Sequence, residues 1–189
     1  MASPVTLAHV VLWSTNLPRM RDWYVKVLDG RVTYETAGVV FLTYDDEHHR
    51  VALLDPAVAA RTPAESTGTP RADVPAQEPP MPTRGLAHFA FTYASLEDLL
   101  DTYQRLEPDG VTPTTTLNHG MTTSLYYVDP DGNQIELQVD NFATPEEGMA
   151  FIESESFARN PVGVPFDPDA FVERLRAGET AADLVTPTW

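Results

Sequence analysis

Two spacings of apolar residues predict the elements of the first third of the chain. The short segment LAHVVLW (7–13) predicts a strand of period two, whereas apolar side chains recur every three or four positions in 17–27, which predicts a helix. Ser14–Asn16 offers N-caps for this helix, and Gly30 is a natural C-terminal stop. Strand-like runs follow at 31–36, 39–44 and 49–54. The order predicts a βαβββ module.

The same order of elements recurs about eighty residues later. His9, Leu17, Asp22 and Tyr24 are each matched by the same residue type at positions 88, 96, 101 and 103. Ser95 caps the second predicted helix, and the predicted strands cover 86–93, 112–117, 122–128 and 133–139. Asp129 and Pro130 begin the turn between the last two strands. A duplicated βαβββ arrangement predicts an α+β fold.

Two segments lie outside the repeat. Residues 56–84 are rich in proline and poor in large apolar side chains, which predicts an extended connection between modules 5–55 and 85–140. We expect these modules to form a single domain, 1–140, followed by a C-terminal tail, 141–189, with a helix at 168–178. The tail is expected to pack on the domain, with a neighbouring subunit as the alternative.

Composition excludes several classes of partner. The net charge is −16 without any lysine or arginine cluster, which argues against nucleic acid because phosphate binding needs cations. No apolar run approaches the roughly 18 residues of a spanning helix, and no signal peptide is evident, so we expect a cytoplasmic protein without a membrane partner. The chain has no cysteine, so a metal would be held by histidine and carboxylate.

Three side chains form a candidate metal site. In a period-two strand His9 shares a face with Leu7 and Val11, and His88 occupies the matching place in the second module. Glu136 shares the polar face of the last strand with Gln134 and Gln138. Two imidazoles and one carboxylate match the facial triad of non-haem Fe(II) enzymes. For each histidine taken alone, the alternative is a hydrogen-bonded, half-buried side chain. For Glu136 taken alone, the alternative is a solvated side chain.

The segment LNHGMTTSLYYVDPDGNQIE (117–136) carries a more specific pattern. With His119, Tyr126, the Asp-Pro turn and Glu136, it resembles the signature of the extradiol ring-cleaving dioxygenases of the vicinal oxygen chelate superfamily, in their short one-domain class. The resemblance includes EHHRVAL (47–53), where His49 matches an active-site histidine that is not a metal ligand. It implies that the two βαβββ modules form one cupped mixed sheet with a C-terminal helical tail.

The resemblance also implies roles for individual residues. His9, His88 and Glu136 would bind Fe(II), with Mn(II) as the alternative, since the ligand set suits both. His49 would transfer protons, and His119 and Tyr126 would hydrogen-bond the substrate.

The expected function is extradiol (meta) cleavage of a catechol such as 2,3-dihydroxybiphenyl in aromatic hydrocarbon catabolism, with both atoms of O2 inserted by a homo-oligomeric enzyme. The alternative is a metal-dependent glyoxalase-like isomerase, or an antibiotic-resistance transferase or binding protein of the same superfamily.

Overall fold

The computed structural model describes residues 7–59 and 86–187. The chain divides into two compact units, Met1–Ala87 and His88–Trp189, and each is described by itself. Each contains one βαβββ module, so the predicted α+β fold class is confirmed. The strands of the described residues form two mixed sheets, one per module, where the family resemblance implied one cupped sheet. Within the described ranges, no helix is long and apolar enough to cross a membrane.

The first module packs one long helix on a four-stranded sheet. Met20, Tyr24 and Val27 lie on the buried face of this helix, as its spacing predicts. The strands are ordered β1-β4-β3-β2, with β1 parallel to β4 and the other pairs antiparallel. The elements are β1 Val10–Trp13, α1 Leu17–Leu28, β2 Arg31–Glu35, β3 Val39–Thr43, β4 Val51–Leu54 and α2 Pro56–Ala59. The predicted connection thus begins with α2, and its residues from 60 to 84 lie outside the described ranges.

The two ends of α1 test the predicted helix boundaries. Asn16 is the N-cap, and its side chain accepts a hydrogen bond from the Arg19 N–H at 3.2 Å. At the other end the helix stops before Gly30, as predicted, and the left-handed residue is Asp29, with φ of 49°. Gly30 is required for a different reason, because a Cβ atom there would lie 2.8 Å from the Thr43 carbonyl oxygen. Gly30 therefore allows the backbone to pass close to Thr43 in β3.

The second module repeats this plan and extends it. The sheet has the order β5-β8-β7-β6-β9, with β5 parallel to β8 and all other pairs antiparallel. Leu99 and Leu106 on the helix and Leu125, Ile135 and Leu137 on the sheet are fully buried. The elements are β5 Phe89–Thr92, α3 Leu96–Leu106, a 3-10 turn Glu107–Asp109, β6 Thr115–Asn118, β7 Thr122–Val128, β8 Gln134–Asp140, α4 Pro145–Ile152, α5 Glu155–Arg159, β9 Val164–Pro165, α6 Pro168–Arg176 and α7 Ala181–Val185.

The C-terminal tail contacts the second module at several points. Its β9 pairs with β6, and the Tyr103 hydroxyl donates to Asp169 Oδ1 at 3.2 Å. The Asn118 side chain donates to the Val185 carbonyl at 2.8 Å. The predicted helix at 168–178 is confirmed as α6, two residues shorter. Assignment of 1–140 as one domain, with 141–189 as a tail, stays a prediction.

The first strand of each module begins later than predicted, at Val10 and at Phe89. His9 and His88 therefore lie in corresponding places, each directly before its strand and not inside it. In the first module, the Arg50 guanidinium donates to the carbonyls of Leu7 and Ala8, both at 2.9 Å. A side chain thus satisfies these two backbone acceptors before the ladder starts.

Asp129 forms the turn between β7 and β8, as predicted. Its carboxylate is buried and accepts hydrogen bonds from the Asp131 and Asn133 backbone N–H groups at 3.0 and 2.8 Å, and from the Asn133 side-chain amide at 2.8 Å. Replacing Asp129 by alanine leaves these donors without their partner. We expect the free energy of unfolding to fall by about 2–3 kcal/mol, measured by urea denaturation. The exposed Asp131→Ala is the control, and an equal loss in both variants would contradict the assignment.

Candidate functional site

A histidine and a glutamate meet in the second module because β5 runs parallel to β8. Ala90 is the partner of Glu136 in the ladder, and His88 lies two residues before Ala90. The His88 Nε2 atom lies 3.1 Å from Glu136 Oε2. The Glu136 side chain is only 7 % exposed, whereas that of His88 is 38 % exposed. A buried carboxylate thus lies beside an accessible imidazole.

Tyr126 is bound to the other oxygen of the same carboxylate. It lies directly opposite Glu136 in the antiparallel β7–β8 ladder, and its hydroxyl donates to Glu136 Oε1 at 2.8 Å. Its ring meets the His88 ring edge to face, with the centroids 5.5 Å apart. Burial raises the pKa of Tyr126 well above its usual range, and the hydrogen bond to the carboxylate raises it further. Tyr126 is therefore a neutral hydroxyl at physiological pH.

His119 extends this network. Its Nε2 atom lies 3.0 Å from the Tyr126 hydroxyl oxygen, and its Nδ1 atom lies 2.6 Å from the Val162 carbonyl oxygen. Glu136, Tyr126 and His119 thus form a continuous series of polar contacts. Val162 was not among the residues predicted for the site, because only its backbone takes part and no side-chain pattern could reveal it.

His49 lies beside His9 in the first module. The His9 and His49 ring centroids are 4.4 Å apart, and the His49 ring stacks on Phe41 at 4.5 Å with 13° between the planes. Burial lowers the pKa of His49, and the neighbouring His9 and His48 lower it further. The His48 side chain is 75 % exposed, whereas His49 is half-buried. The two adjacent histidines therefore occupy different environments.

Arg50 fixes the backbone around these two histidines. Its guanidinium donates to Asp45 Oδ2 at 2.9 Å and to the two carbonyls that precede His9. Asp45 Oδ1 accepts from the Glu47 N–H and from the Thr43 hydroxyl, both at 3.1 Å. One arginine thus ties the segment leading into His9 to the loop that carries His49.

The structure brings together two of the three predicted metal ligands. His88 and Glu136 are in contact, while His9 lies in the first module. Among residues 7–59 and 86–187, no three histidine, aspartate or glutamate side chains form a group that could hold a metal ion.

The donor chemistry of the His88–Glu136 pair nonetheless fits a divalent metal. Imidazole nitrogen and carboxylate oxygen suit Fe(II) and Mn(II). Two neighbouring ligands of an octahedral ion, with bonds of about 2.2 Å, are about 3.1 Å apart. The separation between Nε2 and Oε2 is 3.1 Å.

Comparison with known proteins assigns the family. Residues 6–137 match the model of the Glyoxalase/Bleomycin resistance protein/Dioxygenase superfamily. The chain is 44 % identical over 190 residues to biphenyl-2,3-diol 1,2-dioxygenase 2 of Rhodococcus globerulus, covering 100 % of this chain and 91 % of that protein. It is also 44 % identical over 186 residues to biphenyl-2,3-diol 1,2-dioxygenase 3 of the same organism, covering 97 % and 88 %.

A solved structure shows the same fold at low sequence identity. The lactoylglutathione lyase of Agrobacterium tumefaciens is 19 % identical to this chain, with a TM-score of 0.53 over 73 % of this chain and 96 % of that one. At that identity the likeness concerns the fold alone. Because the family model covers more than two thirds of the sequence, the chain belongs to the Glyoxalase/Bleomycin resistance protein/Dioxygenase superfamily.

Proposed function

We propose that the protein is an extradiol dioxygenase that cleaves the ring of 2,3-dihydroxybiphenyl or a related catechol. The observation that carries this proposal is the network of Glu136, Tyr126 and His119 beside His88. The chain that carries it is 44 % identical to two biphenyl-2,3-diol 1,2-dioxygenases, over 100 % and 97 % of its length. The network offers a candidate metal ligand pair and two groups that can hydrogen-bond a catechol.

His88 and Glu136, together with His9, are the proposed ligands of a non-haem Fe(II), with Mn(II) as the alternative metal. The arrangement of two histidines and one carboxylate leaves further coordination positions open to substrates. When bound, the metal supplies a path for electrons between the catechol and triplet O2, which otherwise react slowly.

Tyr126 and His119 are proposed to orient the substrate. The Tyr126 hydroxyl remains protonated at physiological pH, so it can redirect its one hydrogen bond from Glu136 to a catechol oxygen without itself losing the proton. The His119 imidazole lies within hydrogen-bond reach of that hydroxyl. Together they can hold the two hydroxyl groups of the substrate in one orientation, which lowers the entropic cost of reaction.

His49 is the proposed proton carrier. Its lowered pKa keeps the imidazole neutral near pH 7, so it can accept a proton from a catechol hydroxyl and return it later in the reaction. Stacking on Phe41 restricts the ring to one plane. A fixed neutral imidazole is suited to general acid–base catalysis.

The overall reaction needs no other reactant. One catechol and one O2 combine, the ring bond beside the two hydroxyls breaks, and both oxygen atoms remain in the ring-opened product. We further propose a homo-oligomeric, cytoplasmic enzyme of aromatic hydrocarbon catabolism, without a nucleic-acid or membrane partner.

Oxygen uptake tests the proposed function. Full-length protein is loaded with Fe(II) anaerobically and offered 2,3-dihydroxybiphenyl and catechol in parallel, with Fe(II) alone as the blank. We expect one O2 consumed per catechol and a ring-opened product that carries both atoms of 18O2. Absence of uptake by protein that holds Fe(II), across a wider panel of catechols, would contradict the proposal. It would favour the isomerase or transferase alternative.

A further inference from the structure

We propose that the turn Asn160–Gly163 in the C-terminal tail is a positioning element that holds His119 in the tautomer with the proton on Nδ1. The role of His119 itself rests on the proposed function. The turn lies beyond residue 137, where the match to the family model ends. The proposal therefore gives a segment outside the duplicated modules a positioning role in the site.

The Val162 carbonyl determines the tautomer. It lies 2.6 Å from His119 Nδ1, and a carbonyl oxygen can only accept, so Nδ1 must carry the proton. In the neutral imidazole the free lone pair is then on Nε2. Nε2 lies 3.0 Å from the Tyr126 hydroxyl oxygen, so it can accept the single hydroxyl proton whenever that proton is not donated to Glu136 Oε1. The turn thus directs the basic nitrogen of His119 toward the side chain that is proposed to bind substrate.

The carbonyl is held in place by the turn itself. The Asn160 side-chain amide donates to the Gly163 carbonyl at 2.9 Å, and its oxygen accepts from the Gly163 N–H at 3.1 Å. Directly after the turn, β9 pairs with β6, with Val164 opposite Asn118. The position of the Val162 carbonyl is therefore fixed from both sides.

Gly163 is the residue that allows this approach. Its φ is +91°, and a Cβ atom there would lie 2.1 Å from the Asn118 carbonyl oxygen and 2.7 Å from His119 Cα. Both contacts are with backbone, which cannot move aside as a flexible side chain can. Any other residue at 163 must therefore displace the turn from His119.

Four variants separate the role of the turn from general effects on the protein. Gly163→Ala displaces the turn, and Asn160→Ala removes both of its side-chain hydrogen bonds without adding an atom. Val162→Ala is the matched control, because the 63 % exposed side chain is shortened while the carbonyl stays. Gly148→Ala controls for a glycine replacement in the tail, since a Cβ atom there meets nothing within 4 Å.

The first measurement is the tautomer of His119, by long-range 1H–15N NMR of the metal-free, full-length chain at a pH where the imidazole is neutral. The His119→Gln variant assigns the signal. We expect the Nδ1–H form in the wild-type protein and in both controls, and a mixture of tautomers in Asn160→Ala and Gly163→Ala. An Nε2–H form in the wild-type protein would overturn the proposal, whatever the activity.

The second measurement is turnover of 2,3-dihydroxybiphenyl at equal Fe(II) content. We expect kcat/KM to fall about 10–100-fold in Asn160→Ala and Gly163→Ala, as for other groups that orient active-site histidines, and to be unchanged in the two controls. If Gly163→Ala does not fold, Asn160→Ala alone decides. A changed tautomer with unchanged turnover would overturn the positioning role. An inactive wild-type protein with the expected tautomer would instead contradict the proposed function.

Discussion

Glu136→Gln is expected to abolish O2 uptake and to weaken Fe(II) or Mn(II) binding by more than about 100-fold. Removal of a group that only supports a ligand usually weakens metal binding by about 10–100-fold, and removal of a ligand itself is expected to cost more. Glutamine keeps the shape of the side chain, and its oxygen can still accept the hydrogen bond from Tyr126. It removes the negative charge that lies 3.1 Å from His88 Nε2. Anaerobic equilibrium dialysis, with metal analysis of the protein, measures the change.

The control for this variant addresses the acidic character of the chain. With a net charge of −16, the protein can attract divalent cations without a specific site. Asp140→Asn removes one carboxylate charge from the exposed end of the same strand, β8. It is expected to bind the metal like the wild-type protein. Equal binding by Glu136→Gln and wild type would refute the assignment of Glu136 as a ligand.

Periodicity and turn chemistry predicted most elements of the fold. Helix α1 follows from its apolar spacing and its Asn16 cap, and the turn at Asp129 follows from a side chain that satisfies neighbouring N–H groups. The ends of elements were less predictable. The Arg50 side chain replaces the first ladder contacts of β1, and Asp29, which is not a glycine, takes the left-handed conformation at the end of α1. Both depend on residues that meet only after folding.

The tail shows where sequence patterns carry least information. Strand β9 has two residues, one of which is Pro165, so neither alternation nor propensity can reveal it. It exists because β6 offers an open edge, where Leu117 pairs with Pro165. The contact between His119 and the Val162 carbonyl follows from this pairing and could not be predicted from side-chain types.

The candidate site could be predicted only in part, because contacts between its side chains depend on how the strands pair. The repeat matched His9 with His88, and alternation along β8 put Glu136 on the polar face. Contact between His88 and Glu136 then depends on the parallel pairing of β5 with β8, and contact between Tyr126 and Glu136 on the register of β7. Residue types indicated the chemistry, whereas strand register determines which side chains touch.

His49→Gln is expected to keep its metal and to lose about 100-fold or more in kcat, the usual contribution of a general acid–base group. Glutamine can form hydrogen bonds but cannot accept and return a proton near pH 7. In the wild-type protein, burial and two neighbouring histidines keep His49 neutral at that pH, and stacking on Phe41 restricts its ring. Steady-state O2 uptake gives kcat and KM, and metal analysis of the same samples gives the iron content.

The neighbouring His48 provides a matched control. It undergoes the same substitution one residue earlier, at a side chain that is 75 % exposed. Burial is the main cause of the lowered pKa of His49 and His48 only adds to it, so His48→Gln leaves His49 neutral near pH 7 and is expected to retain wild-type turnover there. Loss of metal from His49→Gln would identify His49 as a ligand and contradict a role in proton transfer alone. Equal loss of turnover in both variants would point to disruption of the 45–50 loop. A fall in kcat confined to His49→Gln, at unchanged iron content, assigns the proton transfer to His49.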